Sequence, residues 1–480
     1  MLSSSPLIRT ILRSPAAAIV PLLFIFSSCG GSGSAGRFDT GGAQSYQAGT
    51  PGFEIETMQG QGDSLSAVDL FLSIPYPSLI FEKTGGVFRS MCEITARFAG
   101  SSSSRPPLEV AWPDTTIVDT YEATQGFEPI TIQRRIPVPP GSYRVEVTLE
   151  DLVDGRKATR VQPVTVIDPL EAGPAIGRIS LIARKRDGTT LPQISFFVPQ
   201  RRDSVDCTVP VYNLPPGRES RIEIRVFLFG GDTTTAVPPY YYSVLPVSMG
   251  HAIIDFEKPD TLYRAIRSVT ASRRVELLTF RFPPLRRGMA RIDCLVSART
   301  ASGNDTALFA GRYYSVQGQG FPRPVTLSDL ISAVVYIATP EEMSAIREAT
   351  GGDEQRKRFE DLWLGFGGGD RTRAAGLIRK YYARVAEANR LFTIMREGWR
   401  TDRGMLYCVL GPPVEVRNQL DTQTWYYDLG GNAADNTFLF KRILRTGEGL
   451  NVEDYVLYRG AGYETFWTRM VAKWRSGEQP

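Results

Sequence analysis

The sequence predicts an all-β, sandwich-like amino-terminal half followed by an α+β carboxyl-terminal domain with a small antiparallel sheet. Three observations carry this. Between about Ser64 and Gln319, apolar and polar residues alternate with period two between Pro- and Gly-containing breakers. From Val325 onward the period becomes helical. Past Gly398, short apolar runs around Gly411-Pro412-Pro413 return the pattern to strands. With 480 residues and 42% hydrophobic content the chain can bury several cores. A prior of ~150 residues per domain gives about three domains.

Residues 1–29 have the parts of a secretory signal: Arg9 and Arg13 supply charge, Ala16 to Phe26 form an apolar core, and Ser27-Ser28 precede Cys29. That core is too short to span a bilayer as a helix. Ser27-Ser28-Cys29-Gly30-Gly31 resembles a bacterial lipobox, with Phe26 in place of the usual aliphatic residue. The expectation is a mature chain that begins at lipidated Cys29 and reaches the membrane through acyl chains, at ~0.8 kcal/mol per buried methylene. An ordinary signal peptide is the alternative. Residues 30–63 are rich in Gly and Ser and read as a tether. No acidic cluster follows Cys29, which favours the periplasmic face of the outer membrane.

Residues 64–170 are expected to form an immunoglobulin-like sandwich, with strands at Val68–Ile74, Phe88–Phe98, Tyr143–Leu149 and Thr159–Val166. Pro139-Pro140-Gly141 and Asp154-Gly155 punctuate them. A second β-rich domain, 171–322, has its clearest strands at Arg178–Ala183, Arg221–Phe229, Arg274–Phe282 and Met289–Ala298. Cys207 and Cys294 both fall there, either as a disulfide in an exported protein or as buried thiols. Cys92 and Cys408 read as apolar strand residues.

Residues 323–480 make the last domain. Thr339-Pro340-Glu341-Glu342 is a capped helix start, and that helix runs to about Ala349. Another begins near Asp353 and carries Phe359, Leu362 and Trp363 inward. Leu377, Tyr381, Val385, Ala388 and Phe392 share one face of a long helix, which Gly398 breaks. Met405–Leu410, Thr424–Asp428 and Thr437–Arg442 read as strands. Phe466, Trp467, Met470, Val471 and Trp474 mark a final helix packed on the sheet.

The order Tyr381-Tyr382 with Arg384-Val385 and Ala388-Asn389, then Gly398-Trp399-Arg400-Thr401-Asp402-Arg403-Gly404, Gly411-Pro412-Pro413, Trp425-Tyr426-Tyr427 and Phe438-Leu439-Phe440 resembles the GWxTD domain over the last third of the chain. The resemblance implies a bacterial envelope protein, often a lipoprotein, with β-rich segments ahead of the domain, and it implies no activity. Where that family tends to carry a Pro- and Asn-containing segment, this chain has Gly365 to Arg371, which reads as a connector.

Composition narrows the function. The net charge of +4 comes from 55 basic and 51 acidic residues scattered along the chain, so no nucleic-acid footprint is present. The one histidine, His251, lacks a nucleophile elbow, and the five cysteines contain no Cys-x-x-Cys pair. No metal or cofactor is expected. The motif residues Gly398, Trp399, Thr401, Asp402, Arg403 and Gly404 have a packing account. Trp399 lies against the helix bearing Tyr381 and Tyr382, and Thr401 and Asp402 bond turn amides. Arg403 or Arg400 pairs with Asp402, and Gly404 takes an unusual backbone angle. One functional reading makes Asp402 with Glu397 or Glu415 a carboxylate pair for hydrolysis of glycan or peptidoglycan. Another makes Trp399, Tyr407, Trp425 and Tyr426 an aromatic surface for a peptide or glycan. The expectation is a non-enzymatic envelope lipoprotein that binds an envelope protein or glycan.

Overall fold

A computed structural model of the protein describes residues 37–39, 51–60, 66–100, 106–126, 128–168, 170, 173–184, 187–200, 203–230, 259–299, 305–430, 436–447, 450–460 and 463–478. Cys29, His251 and most of the expected tether lie outside them. Strand β1 is Arg37–Asp39.

The first sandwich follows. Its strands are β2 (Glu54–Gly60), β3 (Ala67–Ile74), β4 (Glu82–Thr84), β5 (Val87–Gly100), β6 (Leu108–Val118), β7 (Ile130–Pro137), β8 (Gly141–Asp151) and β9 (Lys157–Val166). One sheet runs β2-β3-β7 and the other β4-β5-β8-β9, with β6 on β5. Alternation decides which face is buried. On β5 and β8 the register sets Ile94 beside Leu149, Ala96 beside Val147 and Phe98 beside Val145. These pack against Val68, Leu70 and Leu72 from the opposite sheet. Because β2 pairs along β3, the expected tether stops short of residue 63. Residues 54–60 belong to the sandwich.

The second sandwich comprises β10 (Ala175–Ile176), β11 (Ser180–Arg184), β12 (Thr190–Pro192), β13 (Phe197–Pro199), β14 (Val205–Tyr212), β15 (Glu219–Phe229), β16 (Asp260–Thr270), β17 (Val275–Phe282), β18 (Gly288–Arg299) and β19 (Asp305–Gln317). One sheet runs β10-β14-β11-β12, with β17 on β14. The other runs β1-β19-β18-β15-β16, with β13 also on β19. Cys207 on β14 and Cys294 on β18 enter the shared core from opposite sheets as free, fully buried thiols. Burial pushes the Cys294 thiol up to about 12 and the Cys207 thiol up as well.

The carboxyl-terminal region holds α1 (Leu327–Ala333), α2 (Pro340–Arg347), α3 (Gly352–Phe366), α4 (Arg371–Phe392), α5 (Asp402–Leu410), β20 (Glu415–Asn418), β21 (Thr422–Tyr426), β22 (Thr437–Gly447), β23 (Leu450–Leu457) and α6 (Tyr463–Arg475). The strands form an antiparallel sheet in chain order. Helices and sheet share one core, in which Leu377, Tyr381, Val385, Ala388 and Phe392 of α4 meet Trp425, Phe440 and Trp474. Two expectations need correction. Residues 405–410 are helical rather than a strand, and α4 ends at Phe392, six residues before Gly398. No helix of the described residues is long and apolar enough to cross a membrane.

Ion pairs and an apolar cluster join the lobes. Between the sandwiches, the carboxylate of Glu56, fully buried, accepts from Arg178 Nε at 2.6 Å, Arg312 Nη1 at 2.9 Å and Arg312 Nη2 at 2.6 Å. Between the second sandwich and the carboxyl-terminal region, Met395 packs with Phe229, Met289 and Tyr313, and Arg287 pairs with Asp329 at 3.2 Å and with Glu397.

Candidate functional site

The segment after α4 is stitched to the helix it has just left. Thr393 Oγ1 accepts from Gly398 N at 2.8 Å, and Asn389 Oδ1 accepts from Trp399 N at 3.2 Å. Residues 398–400 form a single 3-10 turn. Gly398 lies so close to α4 that a Cβ there would meet the Ala388 carbonyl oxygen at 1.9 Å. No side chain fits.

Thr401 then caps α5. Its Oγ1 accepts from Gly404 N at 3.0 Å and donates to Gly398 O at 2.7 Å, so one hydroxyl closes the turn and starts the helix. Asp402 reaches out of the turn altogether. Its Oδ2 accepts from Leu457 N at 2.8 Å and its Oδ1 from Arg459 Nη2 at 2.7 Å, which ties the start of α5 to the end of β23. An aspartate in the first helical turn is also favoured by the helix dipole. The partner of Asp402 is thus Arg459, and neither Arg400 nor Arg403. The Arg403 guanidinium lies 4.0 Å from the Tyr455 ring centroid and 5.1 Å from that of Phe392.

Trp399 is held to the helix that bears Tyr381 and Tyr382 through Asn389, and its ring packs on Tyr336, edge to face at 5.9 Å. Tyr336 Oη donates to Trp399 O at 2.9 Å, and the Arg400 guanidinium covers the indole at 4.2 Å. Burial lowers the Arg400 pKa against the pull of Glu397. Glu397 Oε2 accepts from Trp399 Nε1 at 3.0 Å and from Arg400 Nε at 3.0 Å, while Arg287 arrives from the second sandwich. Gly404 has no unusual angle to accommodate. It sits in α5 because a Cβ there would meet Gly398 O at 1.8 Å.

The far end of α5 is anchored as firmly. Val409 O accepts from Arg384 Nη1 of α4 at 2.7 Å and from Trp474 Nε1 of α6 at 2.8 Å. All nine residues of the helix are buried.

The carboxylates of the hydrolase reading are placed apart in role. Asp402 and Glu397 are buried at 5% and 7% exposure and matched by arginines. Glu415 is exposed on β20, where Arg417 at 2.6 Å holds its carboxyl below the usual range. Among the described residues no group of three or more His, Cys, Asp or Glu converges as metal ligands would. The aromatic-surface reading meets the same burial. Trp399, Tyr407 and Trp425 are 3%, 2% and 0% exposed, so they are core. Tyr426 is half-buried, with the Arg417 guanidinium 4.7 Å from its ring centroid. Sequence reasoning missed Arg459, Arg287, Tyr336 and Asn389 as motif partners. Only Asn389, next to the helix face already marked by Ala388, lay within reach of a sequence signal.

Residues 301–476 match the GWxTD domain family, so the carboxyl-terminal third of the chain is a GWxTD domain. No curated protein matches the chain. Among solved structures, red sea bream transglutaminase is 9% identical, with a TM-score of 0.18 over 56% of this chain and 31% of its own. Dimeric latent PorU from Porphyromonas gingivalis is 12% identical, with a TM-score of 0.21 over 56% of this chain and 20% of its own. The chain thus spans less than a third of either, and TM-scores this low carry no inference.

Proposed function

With a GWxTD domain as its carboxyl-terminal third, we propose that this protein is a non-enzymatic interaction or scaffold module of a bacterial cell envelope, anchored by lipid on Cys29 at the periplasmic face of the outer membrane. One observation carries the non-enzymatic reading: the Thr401 hydroxyl and the Asp402 and Glu397 carboxylates are committed to bonds within the fold. Thr401 is a cap, Asp402 joins α5 to β23, and Glu397 joins the motif to the second sandwich. A general acid needs a carboxyl that holds its proton near working pH, and Glu415 is shifted the opposite way. The anchor rests on the apolar stretch and small residues before Cys29 in the sequence, and the partner is an envelope protein or glycan.

The test compares Asp402→Asn with the parent on purified peptidoglycan and on intact envelopes. The parent should release no soluble glycan, and crosslinking in envelopes should recover one reproducible partner. Glycan release by the parent, abolished in a stably folded Asp402→Asn protein, would establish the hydrolase instead. Cys29→Ser should move the protein out of the membrane fraction and remove acyl labelling.

A further inference from the structure

We infer that the outer face of β15 and β16 carries an oxyanion site, in which Arg221, Arg225 and Arg264 bind a phosphate group, free or carried on an ester such as a lipid headgroup. The pairing of the two strands assembles it. Arg225 of β15 lies directly beside Arg264 of β16, and Glu223 lies beside Ile266. Like charges opposite each other on neighbouring strands repel, and the fold offsets that repulsion only in part. Glu223 Oε1 accepts from Arg225 Nε at 2.6 Å and from Arg264 Nε at 2.7 Å, while its Oε2 lies 3.8 Å from Arg221 Nη2. One carboxylate thus serves three guanidiniums. The Arg264 and Arg225 hydrogen bonds hold it ionised, with its pKa lowered to about 2.

Around Glu223 two positive charges remain in excess. Asp293 of β18, beside Arg225 on its other side, is paired with Arg291 at 3.0 Å, and Glu219 stands beyond Arg221 at the start of β15. Because the Nε atoms of Arg225 and Arg264 meet the same oxygen, the two guanidiniums are neighbours, and their terminal nitrogens are left for a second acceptor. Solvent reaches all three. The side chains of Arg221, Arg225 and Arg264 are 57%, 36% and 55% exposed. Ser268 and Ser297, both exposed, flank Arg221 on the adjacent strands and add hydroxyl donors at that end.

The ligand's chemistry follows from this donor set. A carboxylate would repeat what Glu223 already provides, whereas a phosphate monoester brings about −1.5 to −2 charge at neutral pH and three acceptor oxygens, close to the excess it meets. Planar arginine forks suit that geometry. The three arginines are scattered in the sequence and are gathered only by the pairing of β15 with β16, which is why composition gave no sign of them. The inference goes beyond the interaction-module reading and stands without it, since the assay contains no envelope component.

The test titrates the full-length protein with inorganic phosphate and, separately, with glycerol phosphate at constant ionic strength, with binding read by calorimetry. Phosphate should bind saturably. Arg264→Gln should weaken it ~10-fold or more, the loss expected when a charge-assisted hydrogen-bond donor is removed. Arg281→Gln removes an exposed arginine paired with Asp206 on the other sheet and should leave the affinity unchanged. Glu223→Gln keeps an acceptor oxygen for the arginines and removes the competing charge, so it should bind phosphate more tightly than the parent. Tighter binding of glycerol phosphate than of phosphate would assign the site to an ester, and its exclusion would assign the site to the free ion. Absence of saturable phosphate binding would overturn the inference, as would an affinity that Arg264→Gln leaves unchanged or that Arg281→Gln lowers equally. Weaker binding by a stably folded Glu223→Gln protein would overturn it too.

Discussion

A hydrogen is the largest side chain that Gly398 and Gly404 can carry, because α4, the 3-10 turn and α5 touch backbone to backbone at these points. Gly404→Ala must separate elements fixed by the Thr401 and Asp402 bonds, so it should destabilise by ~3 kcal/mol in urea denaturation. Gly376→Ala is the control. It lies in α4 with nothing within 4 Å of its would-be Cβ and should stabilise by ~0.5–1 kcal/mol. Asp402→Asn is informative for a different reason. Both carboxylate oxygens accept from donors, and an amide can satisfy only one while turning its own donor toward the other. Arg459 would also stay buried without its counter-charge. A loss of ~3 kcal/mol should follow, read as a lower melting temperature. An unchanged melting temperature would refute the structural role.

Among the elements, α2 shows most directly how local signals become tertiary ones. The Thr339 cap and the Glu342 side chain form the reciprocal box that the sequence announced, and Glu342 is then shared with Arg475 at the end of α6, at 2.7 and 2.9 Å. The Arg475 hydrogen bonds hold the Glu342 carboxyl below its ordinary 4.5. A depressed folded-state pKa gives stability that is present above the unfolded value and lost as pH falls through the folded one. The stability difference between parent and Glu342→Gln should therefore be constant well above the ordinary 4.5 and shrink as pH falls through the lowered folded-state value. With a third of each side chain exposed, its size should stay under ~1 kcal/mol. A difference that persists at pH 2 would show that packing, not charge, is responsible. The sandwich strands were legible because half-buried sheets alternate, as Val145, Val147 and Leu149 do on β8. Helix α5 was not, because all of its residues are buried and a uniformly apolar run has no period. The better signals there were its ends: Thr401-Asp402 as a helix start and Gly411 as its stop. The short β20 was hidden by its exposed, charged residues, Glu415 and Arg417. The partners of the motif were hidden by distance in the chain, since Arg287 and Arg459 are joined to Glu397 and Asp402 only by the tertiary fold.

At the scale of the whole molecule, buried charge clusters help couple the lobes, and the Glu56 cluster between the sandwiches is the test of that arrangement. Glu56 is inaccessible to water and Arg312 nearly so, so neither is screened as a surface pair would be. The cost of desolvating these groups is offset only while the set is complete. Arg312 also donates to Ile179 O at 2.7 Å, which fixes its guanidinium against the second sandwich whether or not Glu56 is charged. Glu56→Gln therefore leaves Arg178 and Arg312 in place with their shared anion gone. The expected loss is ~3–5 kcal/mol. Its form in calorimetry distinguishes a local effect from a coupling one. If the cluster joins the sandwiches, the parent's transition should divide, with the first sandwich melting ahead of the rest. A single transition lowered as a whole would mean that Glu56 stabilises without coupling. Glu56→Leu discriminates further, because it removes the hydrogen-bond acceptors that Gln retains. It should divide the transition more widely than Gln does, and a narrower division would place the coupling in packing around β2 instead of in the ion cluster.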